Sequence, residues 1–197
     1  MQANDIDIEA LKTNTEFLKN LELLEDEMRQ ENSIAKGYQL LDAKLLLESD
    51  EDEINELFTF IVNQAFDTLA DYLTRHKGFD MTQAEELATA RAIYENGIQR
   101  YSENDIKGAK EIFLVLHHTI QDEELKDSMM IHACAVMAGH SFEDFIQNFV
   151  DTKGYDEMDP TAFFIKSFTQ PNDILLTMFA KYVKVGKEEL KALEDSK

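Results

Sequence analysis

Apolar and polar residues alternate along most of the chain with the period of an α-helix. Apolar residues recur at spacings of three, four and seven, as expected for helices with one buried face. In the first segment, up to about Glu31, these residues are Ile8, Leu11, Leu18, Leu21, Leu24 and Met28. The pattern predicts nine or ten helices, so the expected fold class is all-α.

Residues that start and stop helices divide this pattern into segments. The run Thr82-Gln83-Ala84-Glu85 has the form of a capping box, which predicts the start of a helix. Asp159-Pro160 places proline at the first position of a later helix, where its missing N–H costs nothing. Pro171 separates that helix from the next one. We therefore expect helices on both sides of Pro171.

The two parts of the chain differ in the length of their helices. Residues 1–80 form long amphipathic helices, which favours a helical bundle or a dimerisation arm. Residues 82–183 contain short helices in pairs of about 30 to 35 residues, the period of stacked helical hairpins. We therefore expect an N-terminal helical bundle or arm, residues 1–80, followed by stacked antiparallel hairpins of the tetratricopeptide (TPR) type, residues 82–197.

Composition limits the kinds of partner. The 197 residues include 40 Asp and Glu against 19 Lys and Arg, a formal net charge of −21, and 44% are hydrophobic. The apolar content suffices for a folded core, while the negative charge disfavours nucleic acid and anionic membranes. The first residues lack a secretory signal, and the longest uncharged stretch, residues 128–142, is too short to insert into a membrane. We therefore expect a cytoplasmic protein.

No pattern of reactive or metal-binding residues is visible. None of the five histidines follows a glutamate at the spacing of di-iron sites, and no zinc, paired-cysteine or glycine-rich phosphate motif occurs. Cys134 lies between two alanines in an apolar helix, where we expect a small buried side chain. The sequence predicts a protein that is not an enzyme and has no metal and no cofactor. An enzyme with an uncatalogued carboxylate site is the less favoured alternative.

Residues 94–116 carry the most specific packing pattern. Gly97 and Ala109 are twelve residues apart, and Phe113 follows four residues later. In a TPR hairpin, small residues in both helices permit a close crossing, and an aromatic residue one turn on fills the remaining gap. Asn104 lies at the turn between the helices, where asparagine tolerates a positive φ. We therefore expect two helices that cross closely at Gly97.

Residues 90–183 resemble the class II chaperones of type III secretion systems, which are small, acidic, cytoplasmic TPR-like proteins that hold translocator proteins before export. The motifs that carry the resemblance are Tyr94-x-Asn96-Gly97-x-x-x-Tyr101, Ile106-x-x-Ala109-x-x-x-Phe113-x-x-Leu116, Ala133-Cys134 before the Gly139 turn, and Asp159-Pro160 opening a third hairpin.

The resemblance implies that an extended segment of an aggregation-prone client lies in a groove lined by the first helix of each hairpin. Tyrosine and methionine side chains suit such a groove, because they offer a large or adaptable apolar surface. Carried onto this sequence, the groove residues are Tyr94, Ile98, Tyr101, Met129, Ala133 and Met137. The same positions also fit an ordinary helical core, which is the alternative.

Besides the less favoured enzyme, two functions remain open from the sequence. The first is a non-enzymatic chaperone or adaptor that binds an extended hydrophobic segment of a client protein, kept in solution by the acidic exterior. The second is a structural or regulatory helical bundle that acts as a homodimer through residues 1–80. Neither function involves nucleic acid or insertion into a membrane.

Overall fold

A computed structural model describes residues 7–153 and 158–195, and these residues form ten α-helices. In chain order the helices are α1 (Ile8–Thr13), α2 (Thr15–Glu31), α3 (Ile34–Leu46), α4 (Glu51–Thr74), α5 (Ala84–Ser102), α6 (Ile106–Thr119), α7 (Glu123–Met137), α8 (Phe142–Phe149), α9 (Asn172–Met178) and α10 (Ala180–Asp195). Within these ranges there is no strand, only two isolated β-bridges. The predicted all-α class is confirmed.

Contacts divide the chain into two units, one up to Thr68 and one from Leu69 onward. The division falls inside α4, and each unit has its own buried residues. The sequence places its domain boundary later, at residues 80–82, and that boundary stays a prediction.

The first unit brings together α2, α3 and the first part of α4. Gly37 lies within α3 and is buried. A Cβ atom at Gly37 would lie 2.8 Å from Ile61 Cγ1 and 3.5 Å from Met28 Sδ. An interior glycine weakens an isolated helix by about 1 kcal/mol, but here its small size lets the three helices approach closely.

The continuous pattern up to Glu31 predicts one helix, whereas the structure has two. Asn14 ends α1 and caps α2, because its side-chain Oδ1 accepts hydrogen bonds from the backbone N–H groups of Glu16 (3.1 Å) and Phe17 (3.0 Å). A capping asparagine offers the backbone an alternative to a continuous helix, and hydrophobic periodicity alone does not reveal it.

The second unit is organised around α6, which packs on both α5 and α7. Helices α9 and α10 pack on α7, α10 also packs on α6, and α8 packs on α5. The connection before α5 is fixed to the end of α6 by two backbone hydrogen bonds. The N–H of Phe79 donates to the carbonyl of Thr119 (2.7 Å), and the N–H of Gln121 donates to the carbonyl of Phe79 (3.0 Å).

The crossing of α5 and α6 follows the predicted spacing. A Cβ atom at Gly97 would lie 2.8 Å from Ile112 Cγ2 and 3.0 Å from Phe113 Cε1, so only glycine permits this approach without displacement of its neighbours. Ala109 is fully buried, and Asn104 adopts a φ of 67° at the turn. The first predicted hairpin is therefore present, although stacking of several TPR-like hairpins is not confirmed.

The capping box predicted at residues 82–85 is wrong. The carboxylate of Asp80 accepts hydrogen bonds from both the N–H (2.9 Å) and the hydroxyl (2.7 Å) of Thr82. The N-cap of α5 is Gln83, whose side chain makes no capping bond. A carboxylate oxygen of Glu86 accepts from the N–H of Asp80 (2.6 Å), so a residue outside the predicted box fixes this turn.

The helix predicted to start at Asp159-Pro160 is also wrong. Residues 158–170, which we call the covering segment, form turns and then an irregular stretch. This stretch pairs with the end of α8: the N–H of Asp151 donates to the carbonyl of Ser167 (3.0 Å), and the N–H of Thr169 donates to the carbonyl of Phe149 (2.8 Å). These tertiary backbone contacts override the local preference for a helix, and the expected third hairpin is absent.

Candidate functional site

The structure does not place the six predicted groove residues on an open groove. They lie on α5 and α7, as predicted. Tyr94 and Tyr101 are 2% and 1% exposed, and Met129 and Ala133 are fully buried. Ile98 and Met137 are partly exposed at the edge of this cluster. In this arrangement, four of the six positions match the alternative of an ordinary helical core.

A chain of hydrogen bonds crosses this core. His132 Nδ1 lies 2.7 Å from the carbonyl of Ser128, which can only accept, so Nδ1 carries the proton. His132 Nε2 is then an acceptor and receives the hydroxyl proton of Tyr94 over 3.2 Å. The Tyr94 oxygen in turn accepts from the backbone N–H of Ile165 at 3.0 Å. These hydrogen bonds connect α7, α5 and the covering segment.

Burial shifts the pKa values of the two titratable side chains in this hydrogen-bond network. His132 is fully buried, and the loss of solvation lowers its pKa to about 4, so the ring is neutral near pH 7. Burial also raises the pKa of the Tyr94 hydroxyl well above its ordinary value. Two neutral groups joined by a hydrogen bond suit an apolar core, whereas a charge there would be unfavourable.

Aromatic side chains of the covering segment close the face formed by α5 and α7. Phe164 is 3% exposed, and its ring centroid lies 4.9 Å from that of Tyr94. The ring of Phe168 lies 6.1 Å from that of His132. At the edge of the segment, the guanidinium of Arg91 lies 4.7 Å from the centroid of Phe163. The segment therefore occupies the face that the sequence assigns to a client.

An ion pair fixes the start of the covering segment. Lys166 Nζ lies 2.5 Å from a carboxylate oxygen of Asp159, and this hydrogen bond is the main reason that the pKa of Asp159 falls to about 2. The other oxygen of Asp159 accepts from the N–H (2.8 Å) and the hydroxyl (2.7 Å) of Thr161. An aspartate held in this turn no longer serves as the cap of a helix.

Tyr101 has a structural partner of its own. Its hydroxyl donates to the carbonyl of His140 over 2.8 Å, which connects α5 to the turn between α7 and α8. The ring packs against Phe142 and Phe145 with centroids 5.5 and 6.0 Å away. Both the ring and the hydroxyl are thus committed to interactions inside the second unit.

Sequence reasoning missed the pair formed by Tyr94 and His132, which are 38 residues apart. One signal was available, because His132 lies within the apolar stretch of α7 and a buried polar side chain needs a hydrogen-bonding partner. The sequence did not indicate which residue supplies that partner. Only the packing of α5 against α7 brings the tyrosine to the histidine.

An open groove lies along α9 and α10 in the second unit. It has a volume of about 610 Å³, and its floor is formed by Leu176, Ala180 and Val183. The residues that surround this floor are Thr177, Lys184, Lys187, Glu188 and Lys191. Two further apolar residues of α9 are exposed outside the groove, with Met178 65% and Ile174 45% exposed. Sequence analysis assigned no role to any of these residues.

Neither a metal-binding cluster nor a reactive cysteine occurs among the described residues. Among them, no three His, Cys, Asp or Glu side chains lie together in a way that could hold a metal ion. Cys134 is buried, and burial raises the pKa of its thiol to about 12, so it is a poor nucleophile. No helix in this part of the chain is both long enough and apolar enough to cross a membrane.

Comparison with known proteins does not assign a family. No protein-family model, no curated protein and no solved structure matches the chain. The function is therefore inferred from the surfaces of the molecule, of which the groove along α9 and α10 is open and the face of α5 and α7 is closed.

The low pKa of His132 predicts a specific dependence of stability on pH. In the folded state the ring stays neutral down to about pH 4, whereas in the unfolded chain it binds a proton near pH 6.5. The unfolded state therefore binds more protons in this range, and stability falls as the pH is lowered. This one group should lower the free energy of unfolding by about 2 kcal/mol between pH 7 and pH 5.

Chemical denaturation at several pH values tests this prediction. Replacement of His132 by Gln should make the decrease between pH 7 and pH 5 smaller by that amount, although it lowers stability at pH 7. Equal pH dependence for wild type and His132→Gln would show that the histidine is not buried in its neutral form.

Proposed function

We propose that this protein is a non-enzymatic chaperone or adaptor that binds an apolar segment of a partner protein in the groove along α9 and α10. The observation that supports the proposal is the apolar floor of the groove, where Ala180 is exposed and Leu176 and Val183 are half-buried. Exposed apolar surface is costly in a monomer, and a contiguous stretch bordered by polar residues is typical of protein interaction sites. The partner would remove this floor from water.

The composition supports the same role. A net charge of −21 keeps a complex with a poorly soluble partner in solution, because complexes repel one another. The resemblance of residues 90–183 to type III secretion chaperones points to the same kind of function, and an aggregation-prone translocator is one such partner. We place the bound segment on α9 and α10, since the face expected from the resemblance is covered by residues 158–170.

A charged side chain on the floor tests the proposal. Replacement of Ala180 by Glu puts a carboxylate in the centre of the apolar surface, where its desolvation on binding is unfavourable. We expect at least a tenfold lower yield of the partner that co-purifies with the protein from its source cells. The measurement is quantitative mass spectrometry of the co-purified protein, normalised to the bait.

Ala10→Glu is the matched control, because Ala10 is exposed on α1 in the first unit. It adds the same charge at a helical site and should leave the yield unchanged. Both variants should keep the circular dichroism and the melting temperature of the wild type. If Ala180→Glu retains its partner at the wild-type level, the groove is not the binding site and the proposal is wrong.

A second candidate function is homodimerisation through the first unit. It is favoured by exposed leucines on α2 and α3, with Leu23 51% and Leu45 52% exposed. In that case Leu23→Glu with Leu45→Glu should convert a dimer into a monomer in sedimentation velocity. A wild-type protein that is already monomeric at high concentration would exclude this candidate, and the strong negative charge of the chain opposes self-association.

A further inference from the structure

We propose that the segment bound along α9 and α10 is a negatively charged amphipathic helix of the partner protein. This inference rests on the function proposed above and specifies the shape and charge of the partner. It departs from the extended client segment implied by the resemblance. Three properties of the groove support it: the spacing of its lining residues, the pairing of its own backbone groups, and its charge.

The lining residues follow the face of a helix. Ala180, Val183, Lys187 and Lys191 are separated by three, four and four residues, so they form one stripe along α10, and Leu176 of α9 lines the same groove. At about 1.5 Å per residue the stripe on α10 is roughly 16 Å long. A partner helix of about four turns is long enough to cover this stripe.

The surface around the groove suits a helix better than an extended peptide. An extended peptide needs partners for its own N–H and C=O groups, and proteins that bind one in this way usually offer the edge of a sheet. The described part of α9 and α10 is helical, so its interior backbone groups are already paired along the helices. A helix satisfies its own backbone groups and needs only side-chain contacts.

The charge around the groove has the opposite sign to that of the whole chain. Three lysines and one glutamate border it, which gives 3 − 1 = +2, against −21 for the chain. Lys184 lies 3.8 Å from Glu188, but both side chains are largely exposed, so this pair contributes little. Within the described side chains, Lys187 and Lys191 form no ion pair with a carboxylate, and a partner can supply one.

These lysines give the groove selectivity for charge. A cationic segment is attracted to most of the acidic surface, but it meets like charge at the border of the groove. An acidic segment is repelled at long range, yet at physiological ionic strength that repulsion is screened beyond about 8 Å. At contact the acidic segment pairs with the lysines. The groove therefore favours an acidic amphipathic helix over a basic one with the same apolar stripe.

The test uses three designed peptides of about four helical turns with an identical Leu and Ala stripe. The positions beside the stripe are Glu in the first peptide, Gln in the second and Lys in the third. Fluorescence anisotropy measures their binding to the wild-type protein and to the variant K184E/K187E/K191E. We expect the Glu peptide to bind the wild type about tenfold more tightly than the Lys peptide, as three exposed ion pairs allow. We expect this preference to reverse in the variant.

The control K19E/K107E/K153E changes the net charge of the protein by the same amount at exposed lysines outside the groove. It should retain the preference for the Glu peptide. If the preference for the Glu peptide over the Lys peptide changes equally in both triple variants, only the total charge matters. That result would overturn the inference. Equal affinities of the three peptides for the wild type would overturn it too.

The inference and the proposed function fail in different ways. Suppose that Ala180→Glu releases the native partner. The partner is still not an acidic helix if the wild type binds none of the designed helices. The same conclusion follows if an acidic peptide with a proline in every turn binds as tightly as the helical Glu peptide. The groove then remains the binding site. If Ala180→Glu keeps the native partner, the proposed function fails, whatever the peptides do. If the Glu peptide binds and its charge preference reverses as expected, the inference is supported.

Discussion

The arrangement of the second unit depends on the hydrogen bonds that satisfy His132 in an apolar core. Its Nδ1–H donates to Ser128 and its Nε2 accepts from Tyr94, which accepts in turn from the N–H of Ile165. Removing one member leaves another buried polar group without a partner, at a cost of about 1 to 3 kcal/mol. Helices α5 and α7 and the covering segment are therefore held in a single arrangement.

That arrangement determines which surfaces can reach a partner. The covering segment places Phe164 and Phe168 on α5 and α7, so the face that the TPR resemblance assigns to a client is filled by the chain itself. Apolar surface stays exposed along α9 and α10, where Leu176, Ala180 and Val183 form the floor of a groove. Of these two surfaces of the second unit, only the groove along α9 and α10 is open to a partner.

Local patterns predicted most of the helices, because the burial of one face is a local property. They were less reliable for helix starts, since the cap at Asn14 was missed and the capping box at residues 82–85 was wrong. The close crossing at Gly97 was predicted, since it depends on three small or aromatic residues at fixed spacing. The covering segment was not predicted, because residues 158–170 have a helix-start signal and adopt their structure only through tertiary contacts. The candidate groove was missed as well. In the sequence the lysines of α10 look like an ordinary solvated face, and only the fold shows that they border a floor made of Leu176 of α9 with Ala180 and Val183 of α10.

The most direct measurement is hydrogen exchange of the Ile165 amide, because that N–H donates to Tyr94 inside the second unit. If the covering segment closes the face of α5 and α7, this amide should exchange as slowly as the buried amides of those helices. Tyr94→Phe removes the acceptor, and exchange at Ile165 should become faster while the helices stay protected. Exchange at the rate of an exposed loop, unchanged by Tyr94→Phe, would show that the face is open and would contradict this account.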